Sequence, residues 1–293
     1  MPKRTIRVGS RDSRLAVEQT MLLLREIEKA HPELSIELIT MKTTGDVILD
    51  RRLDQIGGKG LFVKELDAAL ADGRIDLSIH SLKDLPMEET PDYPLVAYSR
   101  RGDPRDVLVF PENGSGSVEK VGTSSLRRIL QLQKLFPDAK HEMVRGNVLT
   151  RLKKLDHGEY TSLILAASGL NRLGLGQRIS RYFSPAEMIP AAGQGVLAVQ
   201  GRRGEDYSFL DCVHSPVSKL TSLAERSFVR ALDGGCSSPV AAYAEVHGEE
   251  LALTGLYYHE ESGAVTTGAL TGVVLQAEQL GEKLANKLRQ EAL

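Results

Sequence analysis

Short apolar runs typical of β-strands alternate with segments whose apolar residues recur at helical spacing, and this alternation limits the possible folds most. In the first hundred residues the strand-like runs are 6–9, 36–41 and 75–79, and the helical segments are 14–30 and 61–70. After residue 105 the pattern gives strands at 107–110, 120–121, 141–145 and 162–166, with helices at 126–136, 148–155 and 169–173. Such alternation predicts an α/β fold with mainly parallel sheets.

Two segments interrupt this pattern: residues 99–106 are polar and contain glycine and proline, and residues 189–195 contain proline, small residues and two glycines. If both connect the same two lobes, the chain leaves the first lobe near residue 100 and returns near residue 190. This is the architecture of a two-lobed, double-hinged binding protein with its ligand between the lobes. We therefore expect domain 1 over residues 1–99 and 194–216, and domain 2 over 100–193.

The pattern changes after residue 216. A helix over 220–232 precedes three strand-like runs at 240–246, 250–258 and 265–270, and a second helix follows at 276–288. This predicts a separate α+β domain over residues 217–293, with a three-stranded antiparallel sheet and helices on one face.

Charge is distributed unevenly along the chain. Residues 120–154 carry a net charge of +7, whereas the rest of the chain carries −9. A local basic field in an acidic protein favours an anionic ligand. Four lysines of this segment are more typical of a solvated helix surface, namely Lys134, Lys140, Lys153 and Lys154. With no tryptophan and only 5% aromatic residues, the sequence does not favour binding to nucleic acid.

Composition also predicts the setting in which the protein works. No apolar run approaches the ~18 residues of a membrane-spanning helix, and the first twenty residues lack the apolar core of a secretion signal, so we expect a cytoplasmic protein with no membrane partner. The histidines and the two cysteines show no metal-binding spacing, which predicts that no metal is bound.

Arginines occur where a strand is followed by a helix. In GTSSLRR (122–128), Arg127 and Arg128 occupy the first helical turn, where they oppose the helix dipole, and a bound anion would offset that repulsion. Arg145 is predicted to end the next strand. Because ligands bind at the carboxyl ends of parallel strands, the three arginines are expected to converge there. An ordinary capped helix with exposed arginines is the alternative.

Further polar residues follow predicted strands in the first lobe. Arg11 and Ser13 lie between a strand and a helix, and Lys59 lies in the glycine-rich segment IGGKGLF. Lys83 and Asp84 follow another strand in HSLKDLP. Asp84 could shape a turn, or it could act as a carboxylate that stabilises a cation or moves protons.

The two cysteines have different surroundings in the sequence. Cys236 follows two glycines in DGGCSSP, which predicts an exposed loop and a reactive or modified thiol. Cys212 is more typical of a buried, small hydrophobic residue.

Nine segments in this order resemble the porphobilinogen deaminase family of tetrapyrrole biosynthesis. They are GSRDSRLA, GDVILDRRL, GGKGLFVKEL, IHSLKDLP, GTSSLRR, VRGNVLTRL, ILAASGLNRLGL, AAGQGVLAVQ and GGCSSPVAA. The resemblance covers nearly the whole chain. It implies a three-domain monomeric transferase whose first two domains resemble type II periplasmic binding proteins.

The resemblance implies that four porphobilinogen molecules are joined head to tail with loss of ammonia, on a dipyrromethane cofactor attached to Cys236 through a thioether. Asp84 is then the catalytic residue. It would protonate the leaving amine, stabilise the resulting cation and help to remove the ring proton. The implied cofactor-binding residues are Cys236, Lys83, Asp84, Thr123, Ser125, Arg127, Arg128 and Arg145. The implied substrate-binding residues are Arg11, Ser13, Lys59, Arg145, Arg151 and Arg172.

One position departs from the family pattern, and other functions compete with this one. Gln55 stands where the family often has lysine, so a carboxylate contact there is in doubt. A non-enzymatic two-lobed protein that binds a dicarboxylate would share the lobes and the arginines, but would need neither Cys236 nor Asp84. A nucleic-acid binder and a cysteine-dependent acyl transferase are less consistent with the sequence, since the former needs more aromatic residues and the latter a histidine base.

Overall fold

The computed structural model describes residues 4–47, 63–88, 90–114, 116–235 and 238–292. Its strands are β1 (Arg4–Arg11), β2 (Leu34–Met41), β3 (Leu77–Ser81), β4 (Leu95–Tyr98), β5 (Asp106–Val109), β6 (Lys120–Gly122), β7 (Lys140–Glu142), β8 (Ser162–Ala166), β9 (Arg181–Tyr182), β10 (Leu197–Gly201), β11 (Ala241–His247), β12 (Glu250–Tyr258) and β13 (Val265–Val273). Its helices are α1 (Arg14–Ala30), α2 (Thr44–Val47), α3 (Lys64–Ala71), α4 (Leu126–Leu135), α5 (Val148–Asp156), α6 (Ala167–Arg172), α7 (Pro216–Ala231) and α8 (Ala277–Glu291).

Two five-stranded sheets have the same design. The first has the order β2-β1-β3-β10-β4, and the second has the order β7-β6-β8-β5-β9. In each sheet one strand, β10 or β5, runs antiparallel to both of its neighbours, while the other four strands share one direction. The prediction of mainly parallel α/β sheets is therefore confirmed.

Helices and loops cover both faces of these sheets, which explains the continuous apolar runs in the sequence. Strands β5 and β10 are buried along their whole length, and β3 and β8 along all but the last residue. In the first sheet, Ile6 and Val8 of β1 pack with Leu23, Leu24 and Ile27 of α1.

The C-terminal strands form an antiparallel meander in the order β11-β12-β13, as predicted. Helix α8 crosses α7 closely at Gly281, where a Cβ atom would lie 2.7 Å from the backbone nitrogen of Phe228. The ring of Phe228 in turn lies against Gly255 of β12, where a Cβ atom would be 2.5 Å from the ring. Small residues thus allow the two helices and the sheet to approach one another.

The chain divides into two compact units, residues 1–101 with 196–219 and residues 102–195 with 220–293. The chain passes between them near the two predicted connections and again within α7. The C-terminal meander belongs to the second unit, so the division into three domains stays a prediction. No helix in the part of the chain that the structure describes is long and apolar enough to cross a membrane.

Some local predictions were wrong. Strand β7 ends at Glu142, so Arg145 lies in the following loop rather than at a strand end. Strands β4, β9 and β10 were not predicted, because they are short and lie beside the connections. Cys212 is exposed, since the turn that contains it buries Leu210 and Val213 instead.

Candidate active site

A short 3₁₀ turn over Leu82–Asp84 follows β3 and carries Lys83 and Asp84. Leu82 and Leu85 on either side are buried, and the backbone N–H of Leu82 donates to Val196 O over 3.0 Å. Lys83 and Asp84 are half-buried. Because the core holds both ends of the turn, the Asp84 carboxylate sits on a fixed backbone rather than on a free loop.

Arg11 lies at the same end of the first sheet. It is the last residue of β1, which runs parallel to β3 with Gly9 opposite Ser78. Burial, assisted by the charge of Arg11, lowers the pKa of His80 to about 4. His80 is therefore neutral at pH 7, and its Nε2 lies 2.9 Å from Ser78 Oγ. The structure thus brings Arg11 and the Asp84 turn to the carboxyl ends of adjacent parallel strands.

Ser13 is the N-cap of α1, and its hydroxyl oxygen accepts a hydrogen bond from the Ala16 N–H over 3.3 Å. A hydroxyl that accepts in this way keeps its own hydrogen for a ligand oxygen. Ser13 can therefore cap the helix through its oxygen and donate its hydrogen to a carboxylate at the same time.

Thr123 and Ser125 of the second unit precede α4. Thr123 is buried, and its Oγ1 accepts from the Ser125 N–H over 3.3 Å. Ser125 is the N-cap of α4, with its side chain accepting from Arg128 N. The predicted helix start is confirmed, and it fixes both hydroxyls beside the end of β6.

Arg127 and Arg128 are buried rather than exposed, and their shared partner is Asp106. Arg127 Nη1 lies 2.6 Å from Asp106 Oδ2, and Arg128 Nη2 lies 2.8 Å from Oδ1. Asp106 itself has no exposed surface. The anion that the helix start requires is therefore supplied by the chain. Contact of these arginines with a cofactor carboxylate stays a prediction.

Arg145 and Arg151 belong to the loop and helix that follow β7. Arg145 is half-buried in the loop, and α5 begins after the N-cap Asn147. Arg151 Nε donates to Gly146 O over 2.8 Å, and Gly146 has a φ of +106° that favours glycine. Arg151 thus stabilises the loop that carries Arg145.

Arg172 lies at the end of α6 and donates through Nη2 to Gly195 O. Burial lowers the pKa of Arg172 to about 10, which still leaves it charged at pH 7. Among the described residues no acidic side chain forms a salt bridge with it. A half-buried cation in these surroundings would be stabilised by an anionic ligand.

Lys59, Gln55 and Cys236 lie outside the described residues. Their predicted roles stay predictions. The residue that precedes Cys236, Gly235, donates its N–H to Ser238 Oγ over 2.8 Å.

Sequence reasoning missed three buried polar residues that hold the segment returning from the second unit. Gln194 Nε2 donates to Asp106 Oδ1 over 3.1 Å and to Pro104 O over 2.6 Å. Glu225 accepts from the N–H groups of Gly193 and Ala244. The sequence signals for these three residues were weak. Asp106 is an acid at the start of an apolar strand, Gln194 is an amide between two glycines, and Glu225 is an acid within an amphipathic helix.

Two family models match the chain. Residues 6–209 match the model described as porphobilinogen deaminase, dipyromethane cofactor binding domain, and residues 219–290 match porphobilinogen deaminase, C-terminal domain. The predicted resemblance and the predicted dipyrromethane cofactor are thereby confirmed.

Curated relatives agree over nearly the full length. The porphobilinogen deaminase of Ruminiclostridium josui is 54% identical over 97% of both chains, and that of Alkaliphilus oremlandii is 52% identical over 98% of this chain and 97% of the relative. A solved substrate-binding domain of a putative amino acid ABC transporter from Streptococcus pneumoniae is 16% identical, with a TM-score of 0.43 over 76% of this chain and 96% of that one. The chain therefore belongs to the porphobilinogen deaminase family, a family of transferases that bind a dipyrromethane cofactor and act on porphobilinogen.

Proposed function

We propose that this chain joins four porphobilinogen molecules head to tail, releases one ammonia for each, and then hydrolyses the product free as hydroxymethylbilane. The observation that supports this most is Asp84, a half-buried carboxylate that the core holds at the end of β3 beside the end of the strand that carries Arg11. A two-lobed protein that only binds a dicarboxylate has no use for an acid in this position.

The residues present suit a dipyrromethane, whose side chains are carboxylates. Arg172 is a half-buried cation with no acidic salt-bridge partner among the described residues, and Ser13, Thr123 and Ser125 present hydroxyls at helix starts. Guanidinium groups and hydroxyls are the donors that carboxylates prefer. When bound, the cofactor supplies the pyrrole ring from which the product chain grows.

Asp84 performs the proton and charge work in this proposal. Its carboxyl protonates the amine that leaves porphobilinogen, its carboxylate stabilises the cation that remains, and it accepts the proton released from the ring that is joined. Arg11, Arg145, Arg151 and Arg172 bind the acetate and propionate groups and so orient each substrate. Lys83 stands next to Asp84 and would bind a cofactor carboxylate.

Cys236 is the proposed site of cofactor attachment. Intact mass spectrometry of the purified protein should show a mass that exceeds the polypeptide by one dipyrromethane unit. Cys236→Ser should have the bare polypeptide mass and no activity, whereas the matched variant Cys212→Ser, at an exposed cysteine elsewhere, should be loaded and active. An active wild-type protein with the bare mass would contradict the proposed anchor.

We also propose that the enzyme is a cytoplasmic monomer that needs no metal, membrane or nucleic acid. In the described residues no group of histidine, cysteine and acidic side chains could hold a metal ion. Light scattering should give the mass of one chain, and activity should persist after treatment with a chelator. A stable dimer, or loss of activity with the chelator, would contradict this part of the proposal.

A further inference from the structure

Helix α7 ends in a Schellman motif just before the predicted anchor. The N–H of Gly234 donates to Val229 O over 2.9 Å, and the N–H of Asp233 donates to Arg230 O over 3.0 Å. These are the two hydrogen bonds that define the motif. The chain therefore leaves the helix in one fixed direction at Gly234.

The residue at the turning position is unusual. Asp233 has a φ of +55°, and among the described residues it is the one non-glycine residue with positive φ. Glycine normally occupies this position because a side chain is unfavourable there. Gly234, which follows, has no room for a side chain, since a Cβ atom would lie 2.9 Å from Val229 Cγ1 and 3.0 Å from Val229 O. An additional contact is therefore expected to hold Asp233 in place.

Arg289 of α8 provides that contact. Its Nη2 donates to Ala231 O and lies 3.5 Å from Asp233 Oδ2. The Schellman motif supplies donors to the carbonyls of Val229 and Arg230. Arg289 supplies a donor to the next carbonyl along the helix, that of Ala231. The Asp233 side chain is 95% exposed, so the ion pair is weak and the bond to the carbonyl matters most. Arg289 thus joins α8 to the end of α7.

The far side of the anchor is also held. Gly235 donates its N–H to Ser238 Oγ over 2.8 Å, and the Ser238 N–H donates to Gly235 O over 3.1 Å. The described residues on the two sides of Cys236 and Ser237 are therefore joined to each other, and through Gly234 and Asp233 to the helix end that Arg289 holds.

We propose that Arg289 is a positioning residue for attachment of the cofactor. The inference deepens the proposed function and rests on Cys236 being the anchor. In the attachment step, the Cys236 sulfur forms a bond to the aminomethyl carbon of porphobilinogen while the carbon–nitrogen bond breaks. The thiol proton joins the departing amino group, which leaves as ammonia. In this proposal Arg289 acts through the end of α7, which it holds by its contacts with Ala231 and Asp233.

The test measures loading of apoprotein that also carries Cys212→Ser, so that Cys236 is the remaining thiol. Apoprotein is mixed with porphobilinogen, and intact mass spectrometry follows the gain in mass with time. Arg289→Ala should load about tenfold more slowly, because a displaced nucleophile reacts slowly even when its chemistry is intact. Arg289→Lys should recover much of the rate, since an ammonium group can also donate to Ala231 O.

The matched control is Arg230→Ala, which removes another guanidinium between the same helices, 3.7 Å from Glu278 of α8. We expect equal melting temperatures for Arg289→Ala and Arg230→Ala, and alkylation of Cys236 by a small maleimide within about twofold of the parent in both. Turnover by the fully loaded fraction of Arg289→Ala should equal that of the parent.

Three results would overturn the inference. These are loading of Arg289→Ala as fast as Arg230→Ala, slow loading that simply follows a lower melting temperature, and no recovery in Arg289→Lys. A gain in mass by Cys236→Ser is a different result, because it contradicts the anchor and hence the proposed function itself.

Discussion

Asp106 explains why two arginines can stand at the start of α4. A cation in the first helical turn opposes the helix dipole, and a bound ligand was the predicted source of the compensating charge. Instead, one fully buried carboxylate contacts both guanidinium groups. Removal of one partner from a buried ion pair commonly costs about 3–5 kcal/mol of stability. Loss of activity in an Arg127 or Arg128 variant would therefore not by itself show contact with the cofactor.

Asp84 should be essential for turnover but not for folding. In Asp84→Asn the amide keeps the size of the side chain but loses the charge and the proton, so kcat should fall by about 10²–10³. The melting temperature should stay within 2 °C of wild type, roughly what a surface substitution produces. The matched control is Glu88→Gln, at an exposed acid four residues along the chain. If Asp84→Asn retained kcat within about threefold, Asp84 would have no part in the chemistry.

His80 should make stability depend on pH. Its pKa is lowered from 6.5 to about 4, so below pH 6.5 the unfolded state binds a proton that the folded state does not. Stability is therefore lost as the pH falls. Between pH 7.5 and pH 5, wild type should lose about 2 kcal/mol more than His80→Gln in urea unfolding.

The pH dependence of wild type must be compared with that of His80→Gln because Asp67 also titrates in this range. Burial raises the pKa of Asp67 to about 6, so its protonation stabilises the folded state as the pH falls. His157→Gln, at an exposed histidine, serves as the control and should keep the pH dependence of wild type. Equal pH dependence in wild type and His80→Gln would show that His80 is not buried in its neutral form.

Among the elements, those with strong periodicity were predictable and those that depend on distant contacts were not. The segments over 14–30 and 250–258 follow from their patterns alone, and the structure places α1 and β12 there. Strand β10 is five residues long and becomes a strand because β3 and β4 flank it. For the site, spacing predicted that Arg127 begins a helix but could not predict that Asp106, 21 residues away, is its partner.

The crossing of α7 and α8 should be intolerant of a single methyl group. In Gly281→Ala the new Cβ would lie 2.7 Å from Phe228 N and closer still to Ala224 O, and neither backbone atom can move independently. We expect a loss of about 1–3 kcal/mol in chemical denaturation, as is typical of overpacking.

The matched control for this crossing is Gly272→Ala, whose Cβ would meet the mobile end of Leu280 at 3.0 Å. It should lose less than about 1 kcal/mol because a side chain can move aside. Equal losses in Gly281→Ala and Gly272→Ala would mean that the helices are not in backbone contact at Gly281.

For the whole molecule, the predicted third domain and the observed compact units imply different cooperativity of unfolding. The pattern of predicted strands and helices changes near residue 217, which predicts a domain that unfolds independently. In the structure, Ile189 packs with Ala241 and Leu256, and the Ala242 N–H donates to Pro190 O over 3.2 Å. Composition and periodicity cannot reveal such contacts, since each pair is separated by more than fifty residues.

Glu225 should couple unfolding of the meander to that of the second five-stranded sheet. Its fully buried carboxylate accepts from Gly193 N over 2.7 Å and from Ala244 N over 2.8 Å, so one side chain holds the return segment and β11 together. Amide hydrogen exchange at rising denaturant should therefore show that β5, β8, β11 and β12 lose protection together.

In Glu225→Gln one N–H must face the amide NH₂ group, and an unsatisfied buried donor costs about 1–3 kcal/mol. The meander should then open at lower denaturant than β5 and β8, whereas Glu245→Gln, at an exposed position on β11, should behave as wild type. Separate opening already in wild type would contradict the coupling and favour a third domain that folds by itself.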